Sequence, residues 1–277
     1  MPALLAPWRQ PEGFPAAASN PLRAMLETVD GFLLDLDGTC YLGDRAIEGA
    51  PEFVARCRAR GKRVLWLTNN CSRTATEYAE KLCRLGFEAT PRDIFTSGDA
   101  TIQVLGSEGV TRVFLLGTPS LEEEFRQAGI TLTATDPERV VVGFDLGLTY
   151  DKLKEACRLI RSGVPWVATH PDLNCPTPEG PIPDCGAICA LIAASTGARP
   201  QVIGKPEAGM AEAAAMRIGI PRQRLAMVGD RLYTDIRMAR ENEMTAILVL
   251  SGEATREDVA QSPFQPHHIV PSLAFLL

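Results

Sequence analysis

At 277 residues the chain has the length of roughly two domains. Apolar residues make up 45% and charged residues 22%, an ordinary balance for a globular protein with a core, and a net charge of −6 leaves no electrostatic footprint for nucleic acid. The longest apolar stretch, 185–194, falls well short of the roughly 18 residues of a membrane span, so no membrane partner is expected.

Residues 1–28 carry prolines at 2, 7, 11, 15 and 21, and their only basic residues are Arg9 and Arg23. Pro7 interrupts the one short apolar run, which does not read as a secretory signal; an irregular extension or docking arm is expected. Residues 31–35 (GFLLD) form a short apolar strand, followed by a polar turn at Gly38. A helix over 51–60 closes at Gly61, a buried strand follows at 63–67 (RVLWL), and a helix over 74–85 ends at Gly86. A short strand at 93–96 completes this block. The pattern then restarts: a helix from about Thr101, a strand at 112–116, a helix at 120–128 and strands at 130–133 and 140–144. A helix at 150–161, a strand at 166–169, a proline-rich loop to Cys185 and a helix at 186–195 follow. The last block opens with 201–203 and continues with a helix at 210–218, a strand at 225–228, a helix at 234–241 and a strand at 245–250. Strands alternating with helices predict a parallel α/β architecture.

Eight cysteines, at 40, 57, 71, 83, 157, 175, 185 and 189, include no CxxC pair. In a chain of this length without a signal they are expected to be reduced thiols of a cytoplasmic protein. His170, Cys175, Cys185 and Cys189 suggest zinc, but their spacing matches no familiar site, and buried structural thiols are the expected reading.

Four segments carry chemistry. Asp35-Leu36-Asp37-Gly38-Thr39 sits at the carboxyl end of an apolar strand, where open α/β sheets bind ligands. Residues two apart on a strand point the same way, so both carboxylates can face one site, with a divalent cation to offset their repulsion. A calcium loop would need glycine at its sixth position and glutamate at its twelfth; Cys40 and Ala46 stand there. Thr68-Asn69-Asn70 places a hydroxyl and amide donors, suited to phosphate oxygens, at the next strand end, although such turns are common without function. Gly204-Lys205-Pro206 offers a cation for phosphate or a plainly solvated lysine. Gly229-Asp230, followed by Thr234 and Asp235, offers a metal carboxylate or merely a helix start.

Each segment closes a separate strand, and in this order they resemble the four motifs of the haloacid dehalogenase superfamily of phosphohydrolases, over about 200 residues. The resemblance implies a parallel-sheet, Rossmann-like α/β core acting on a small-molecule phosphate ester of the sugar phosphate, phosphoglycolate, glycerol phosphate, nucleotide or 4-nitrophenyl phosphate type. It assigns Asp35 as nucleophile, Asp37 as general acid and base, and Lys205 as the cation stabilising Asp35 and the phosphoryl group. It gives Thr68, with Asn69 and Asn70, to phosphate binding. It implies Mg²⁺ held by Asp35, the Asp37 main-chain carbonyl and Asp230, with Asp235 behind them. Phosphotransferase or mutase activity, and a regulatory metabolite-binding protein with vestigial activity, are the alternatives. A homodimer is left open.

The 31 residues from Asp37 to Thr68 leave no room for a cap domain, whereas the 137 from Thr68 to Lys205 do. That layout resembles the 4-nitrophenylphosphatase-like branch, with an α/β cap between the second and third motifs. The expected division is 1–28 as extension, 29–101 with 200–277 as catalytic core, and 102–199 as inserted cap. Prolines at 171, 176, 178, 181 and 183 stiffen the loop that His170 opens. His170 and Asp172 either contact the leaving group or belong to a rigid turn with an exposed imidazole.

Overall fold

The computed structural model describes residues 20–276 except 176 and 178. Six parallel strands build the larger sheet, in the order His268–Val270, Thr245–Val249, Leu225–Gly229, Gly31–Leu34, Arg63–Thr68 and Ile94–Thr96. A parallel strand covered on both faces must be apolar throughout. Gly31–Leu34 is buried along its whole length. Successive side chains alternate between faces: Leu33 packs with Leu65, Leu67, Phe95, Met227 and Leu248, while Phe32 and Leu34 pack with Val64, Trp66, Val228 and Ile247.

A smaller sheet of five parallel strands follows the order Gln201–Val202, Trp166–Ala168, Arg139–Val142, Arg112–Leu116 and Thr131–Leu132. The cluster that holds Leu33 runs on into Val113, Val140, Val141 and Trp166, so the two sheets share one apolar interior. Between the first two motifs lie only the hairpin Tyr41–Leu42/Arg45–Ala46 and the helix Ala50–Ala59, as the short spacing predicts.

Four expectations need correcting. Asn20–Thr28 is a helix rather than irregular, because Leu22 is buried and Met25 and Leu26 pack on the core; residues 1–19 lie outside the described residues. Gln201–Val202 pairs with Trp166–Ala168, so this short segment is an edge strand of the smaller sheet and not the opening of the last core block. An expected cap start at 102 would also cut the helix Ser97–Ser107, which grows directly from the core strand through a capping box of Thr96 and Asp99. The helix read at 234–241 begins earlier, as a widened π turn over Leu232–Ile236 before Arg237–Glu241.

Candidate active site

The sheet order carries a reversal. From Gly31–Leu34 the chain winds outward through Arg63–Thr68 and Ile94–Thr96, then returns to the other side of Gly31–Leu34 with Leu225–Gly229. Ligands of open α/β sheets bind where the winding switches, beyond the strands' carboxyl ends. Asp35 and Asp230 follow the two strands that flank this point, and Thr68 ends the next. The Asp35 amide donates to Val228 O at 2.9 Å, which ties its backbone to the neighbouring strand end.

Lys205 is buried beneath them. Its Nζ donates to Asp35 Oδ1 at 2.5 Å, Asp235 Oδ1 at 2.8 Å and Leu67 O at 3.1 Å. Burial works against its charge, but Asp235 and Asp35 more than reverse the effect and hold it protonated above its ordinary value. For Asp35 the balance runs the other way: burial pushes its carboxyl well up, against the pull of Lys205, with Asp235 and Asp230 adding to the push. Asp230 is pushed up to about 7, by burial and then by the charge of Asp235. One lysine thus faces three carboxylates, Asp230 and Asp235 buried and Asp35 half-buried.

A divalent cation fits that imbalance. Asp35, Asp230 and Asp235 each offer an oxygen, all within 4.8 Å of one another. Both oxygens of Asp235 are engaged, one by Lys205 and the other by the Arg231 amide at 3.2 Å. Asp230 Oδ2 accepts the Glu253 amide at 2.7 Å, while its Oδ1 is buried with no hydrogen-bond partner among the described residues. An orphaned carboxylate oxygen in such a place suits a hard cation that takes oxygen ligands. Gly38, at φ 83°, lets the turn after Asp37 pass over this oxygen pair: a Cβ there would lie 2.2 Å from Asp230 Oδ2.

Asp37 stands at the exposed edge of the same cavity, and the Tyr41 hydroxyl donates to it at 3.4 Å. The surrounding protein mass still raises its carboxyl, against the opposing pull of Lys81. Thr68 Oγ1 accepts the Asn70 amide at 3.1 Å, which leaves the hydroxyl proton for a ligand. Asn69 serves the scaffold: its Oδ1 accepts the Lys205 amide at 2.8 Å and its Nδ2 donates to Lys205 O at 3.0 Å and to Asp172 at 3.2 Å. Asn70 Oδ1 accepts from the Ser72 amide and hydroxyl. Asn69 and Asn70 line the cavity nonetheless.

From the segment between the strand Trp166–Ala168 of the smaller sheet and the helix Cys185–Thr196 come Asp172, Asn174, Cys175 and Asp184, which line the cavity together with Arg231 and Thr234 of the larger sheet's side. Asp184 and Arg231 escaped the sequence reading. Asp184 lies at the end of the proline-rich loop and caps the helix Cys185–Thr196, its Oδ1 accepting the Cys185 amide at 2.6 Å. Arg231 lay within the fourth motif beside a more conspicuous aspartate. His170 fits neither expectation: it is fully buried, so it is no exposed imidazole, and it is not among the residues lining the cavity. It sits behind the wall, Nδ1 3.6 Å from Asp172 and Nε2 3.4 Å from Asp184. Burial acts to lower its basicity, but the surrounding Cys185, Asp172, Cys71 and Asp184 raise it well above the usual imidazole value. Cys175, Cys185 and Cys189 form no metal-ligand group with His170 among the described residues, and Cys185 and Cys189 are buried thiols outside any disulfide.

Residues 32–131 and 202–276 match the haloacid dehalogenase-like hydrolases, and these two stretches between them hold Asp35, Lys205, Asp230 and Asp235; the chain belongs to that family. Within it, the chain lies in the 4-nitrophenylphosphatase-like branch. It is 42% identical to a 4-nitrophenylphosphatase of Thermotoga maritima, with a TM-score of 0.87 over 91% of this chain and 97% of that one. A 5'-nucleotidase of Bacillus subtilis is 35% identical over 249 residues, 90% of this chain and 97% of its own. A glycerol phosphate phosphatase of Mycobacterium tuberculosis, solved with calcium, is 33% identical with a TM-score of 0.84, over 91% of this chain and 76% of that one. No helix among the described residues is long and apolar enough to cross a membrane.

Proposed function

We propose that the chain is a Mg²⁺-dependent phosphatase that hydrolyses small phosphate monoesters through a phosphorylated Asp35. The observation that carries this reading is the set of Asp35, Asp230 and Asp235 around the buried Lys205, with Asp230 Oδ1 unpartnered among the described residues, at the switch point of the sheet. The names of the related proteins support a small ester as substrate: nitrophenyl phosphate, a nucleotide, glycerol phosphate or a sugar phosphate. Phosphoglycolate was a further candidate on sequence grounds.

The cation, held by Asp35, Asp230 and the Asp37 main-chain carbonyl, would neutralise the phosphate so that an anionic nucleophile can approach it. Lys205 fixes the Asp35 carboxylate through a 2.5 Å contact and adds a second positive charge beneath the phosphoryl group. Thr68 donates its free hydroxyl proton to a phosphate oxygen. A carboxylate oxygen of Asp35 attacks phosphorus, the bond to the ester oxygen breaks, and Asp37 gives its proton to the departing alkoxide. Asp37 then takes a proton from a water whose oxygen attacks phosphorus, which frees inorganic phosphate and the Asp35 carboxylate. Ester and water thus become alcohol and phosphate. The raised carboxyl of Asp37 suits a group that must be protonated before it can donate. Asn69 aligns Lys205 and ties the core to the smaller domain, which acts as a cap that shields the site from water.

The test is hydrolysis of 4-nitrophenyl phosphate with Mg²⁺ and with a chelator, followed by acid quenching and mass spectrometry of the peptide that contains Asp35. Turnover that needs Mg²⁺, and a phosphoryl group on that peptide, are expected. Turnover undiminished by the chelator would overturn the metal dependence, and phosphorylation elsewhere would overturn the nucleophile.

A further inference from the structure

The wall that the smaller domain contributes to the cavity is acidic. Asp172 and Asp184 both line it, beside Asn174 and Cys175. The cations near them stand at ion-pair distance from carboxylates already, although neither ring nitrogen of His170 makes a hydrogen bond among the described residues. His170 lies between the two carboxylates, and Arg231 has Asp172 3.7 Å from its Nη1 and Glu253 3.0 Å from its Nε. Three carboxylates therefore face two cations. That count takes in Arg231 and Glu253 of the core; Lys81 and Arg73, also of the core, act on Asp37 and are not among the main groups acting on Asp172 or Asp184.

The carboxylates are also held in place. Asp184 is fixed by the Cys185 amide at the head of the helix Cys185–Thr196, and Asp172 by the Asn69 amide. Behind both, His170 is fully buried and cannot swing away. An ionised carboxylate has about four acceptor sites and no donor. Oxygens fixed in this way accept hydroxyl or ammonium hydrogens, whereas a substrate carboxylate brought against them meets like charge, and the guanidinium beside them, Arg231, already stands between Asp172 and Glu253.

We propose, building on the phosphatase reading, that Asp172 and Asp184, positioned by His170, act as a filter on the leaving group. It takes phosphate monoesters whose leaving groups carry hydroxyl or ammonium donors and rejects those that carry a carboxylate. Rejection of a wrong partner by an unpaired charge is a common route to specificity. This narrows the substrate class and removes phosphoglycolate from it.

The test compares glycerol 3-phosphate with 3-phosphoglycerate, which have the same carbon count but end in a hydroxymethyl or a carboxylate, and uses 4-nitrophenyl phosphate as reference. In the Mg²⁺-loaded protein, kcat/KM is expected to favour glycerol 3-phosphate by about tenfold or more. Asp172→Asn and Asp184→Asn are each expected to narrow that ratio. Equal rates on the two esters, or a ratio that neither variant moves, would overturn the filter while leaving the phosphatase reading intact. Silence on all three esters would overturn both. For His170→Asn, KM should rise for glycerol 3-phosphate more than for 4-nitrophenyl phosphate, whose leaving group offers no donor. An equal rise on the two removes His170 from the proposal.

Discussion

Lys205 carries two tasks that pull on the same atom. Its Nζ is shared between Asp35 and Asp235, so it both orients the proposed nucleophile and keeps the half-buried Asp35 and the buried Asp235 from standing unpaired. Losing one partner of a buried ion pair typically costs about 3–5 kcal/mol. Lys205→Met is therefore expected to lower the melting temperature of the metal-free protein as well as its turnover, and a silent lysine in both measurements would contradict the geometry. Asp35→Asn should separate the two tasks. It keeps the size of the side chain and leaves Lys205 paired with Asp235, so the fold should survive while turnover falls by at least about a thousandfold. Circular dichroism and 4-nitrophenyl phosphate hydrolysis, measured on one preparation, check both halves.

At the scale of elements, the helix Pro119–Gln127 leaves Glu124 half-buried, with its Oε2 enclosed and without a partner among the described residues. Burial pushes this carboxyl up to about 8, with the charge of Asp99 adding to the push. A carboxyl raised above its unfolded value binds its proton more tightly in the folded state. Its neutral form is therefore accommodated at low pH, and stability is lost as pH rises from the unfolded value towards about 8. Glu124→Gln should flatten that decline and raise the melting temperature by a few degrees at pH above about 8, with little effect near pH 5. A wild-type melting curve that does not change between those two pH values would contradict the burial. The π turn at Leu232–Ile236 belongs to the same scale. Widened turns of this kind are common at functional sites, and here the turn brings Asp235 back against Gly229, where a Cβ would lie 2.3 Å from the Asp235 carboxyl carbon.

For the molecule as a whole, metal binding and folding should be linked. An ion that binds the folded chain and not the unfolded one stabilises it by about 2.7 kcal/mol at a hundred times its dissociation constant. In a protein of this size that is a shift of several degrees. Mg²⁺ is expected to raise the melting temperature of the wild-type chain, and Asp230→Ala, which removes the unpartnered Oδ1, should abolish most of the shift. An identical shift in the variant would move the ion elsewhere.

The alternation of strands and helices, the position of Asp35 at the end of a wholly apolar strand, and the order of the four motifs were legible without coordinates, because each depends on residues adjacent in the chain. The spacing from Asp37 to Thr68 likewise ruled out a cap there, and only a hairpin and one helix fill it. What depended on partners far apart was not legible. Gln201–Val202 has too few residues to announce its sheet and takes its place only by pairing with Trp166–Ala168. Asn69 looks like a phosphate ligand until its bonds to Lys205 and Asp172 show it holding the site together. His170 looked like a turn residue or a substrate contact, and only packing put it behind two carboxylates 3.4 and 3.6 Å away. The sequence determined which groups could do the chemistry, and the tertiary structure decided which of them are paired, because pairing across a hundred residues is set by packing and burial rather than by local pattern.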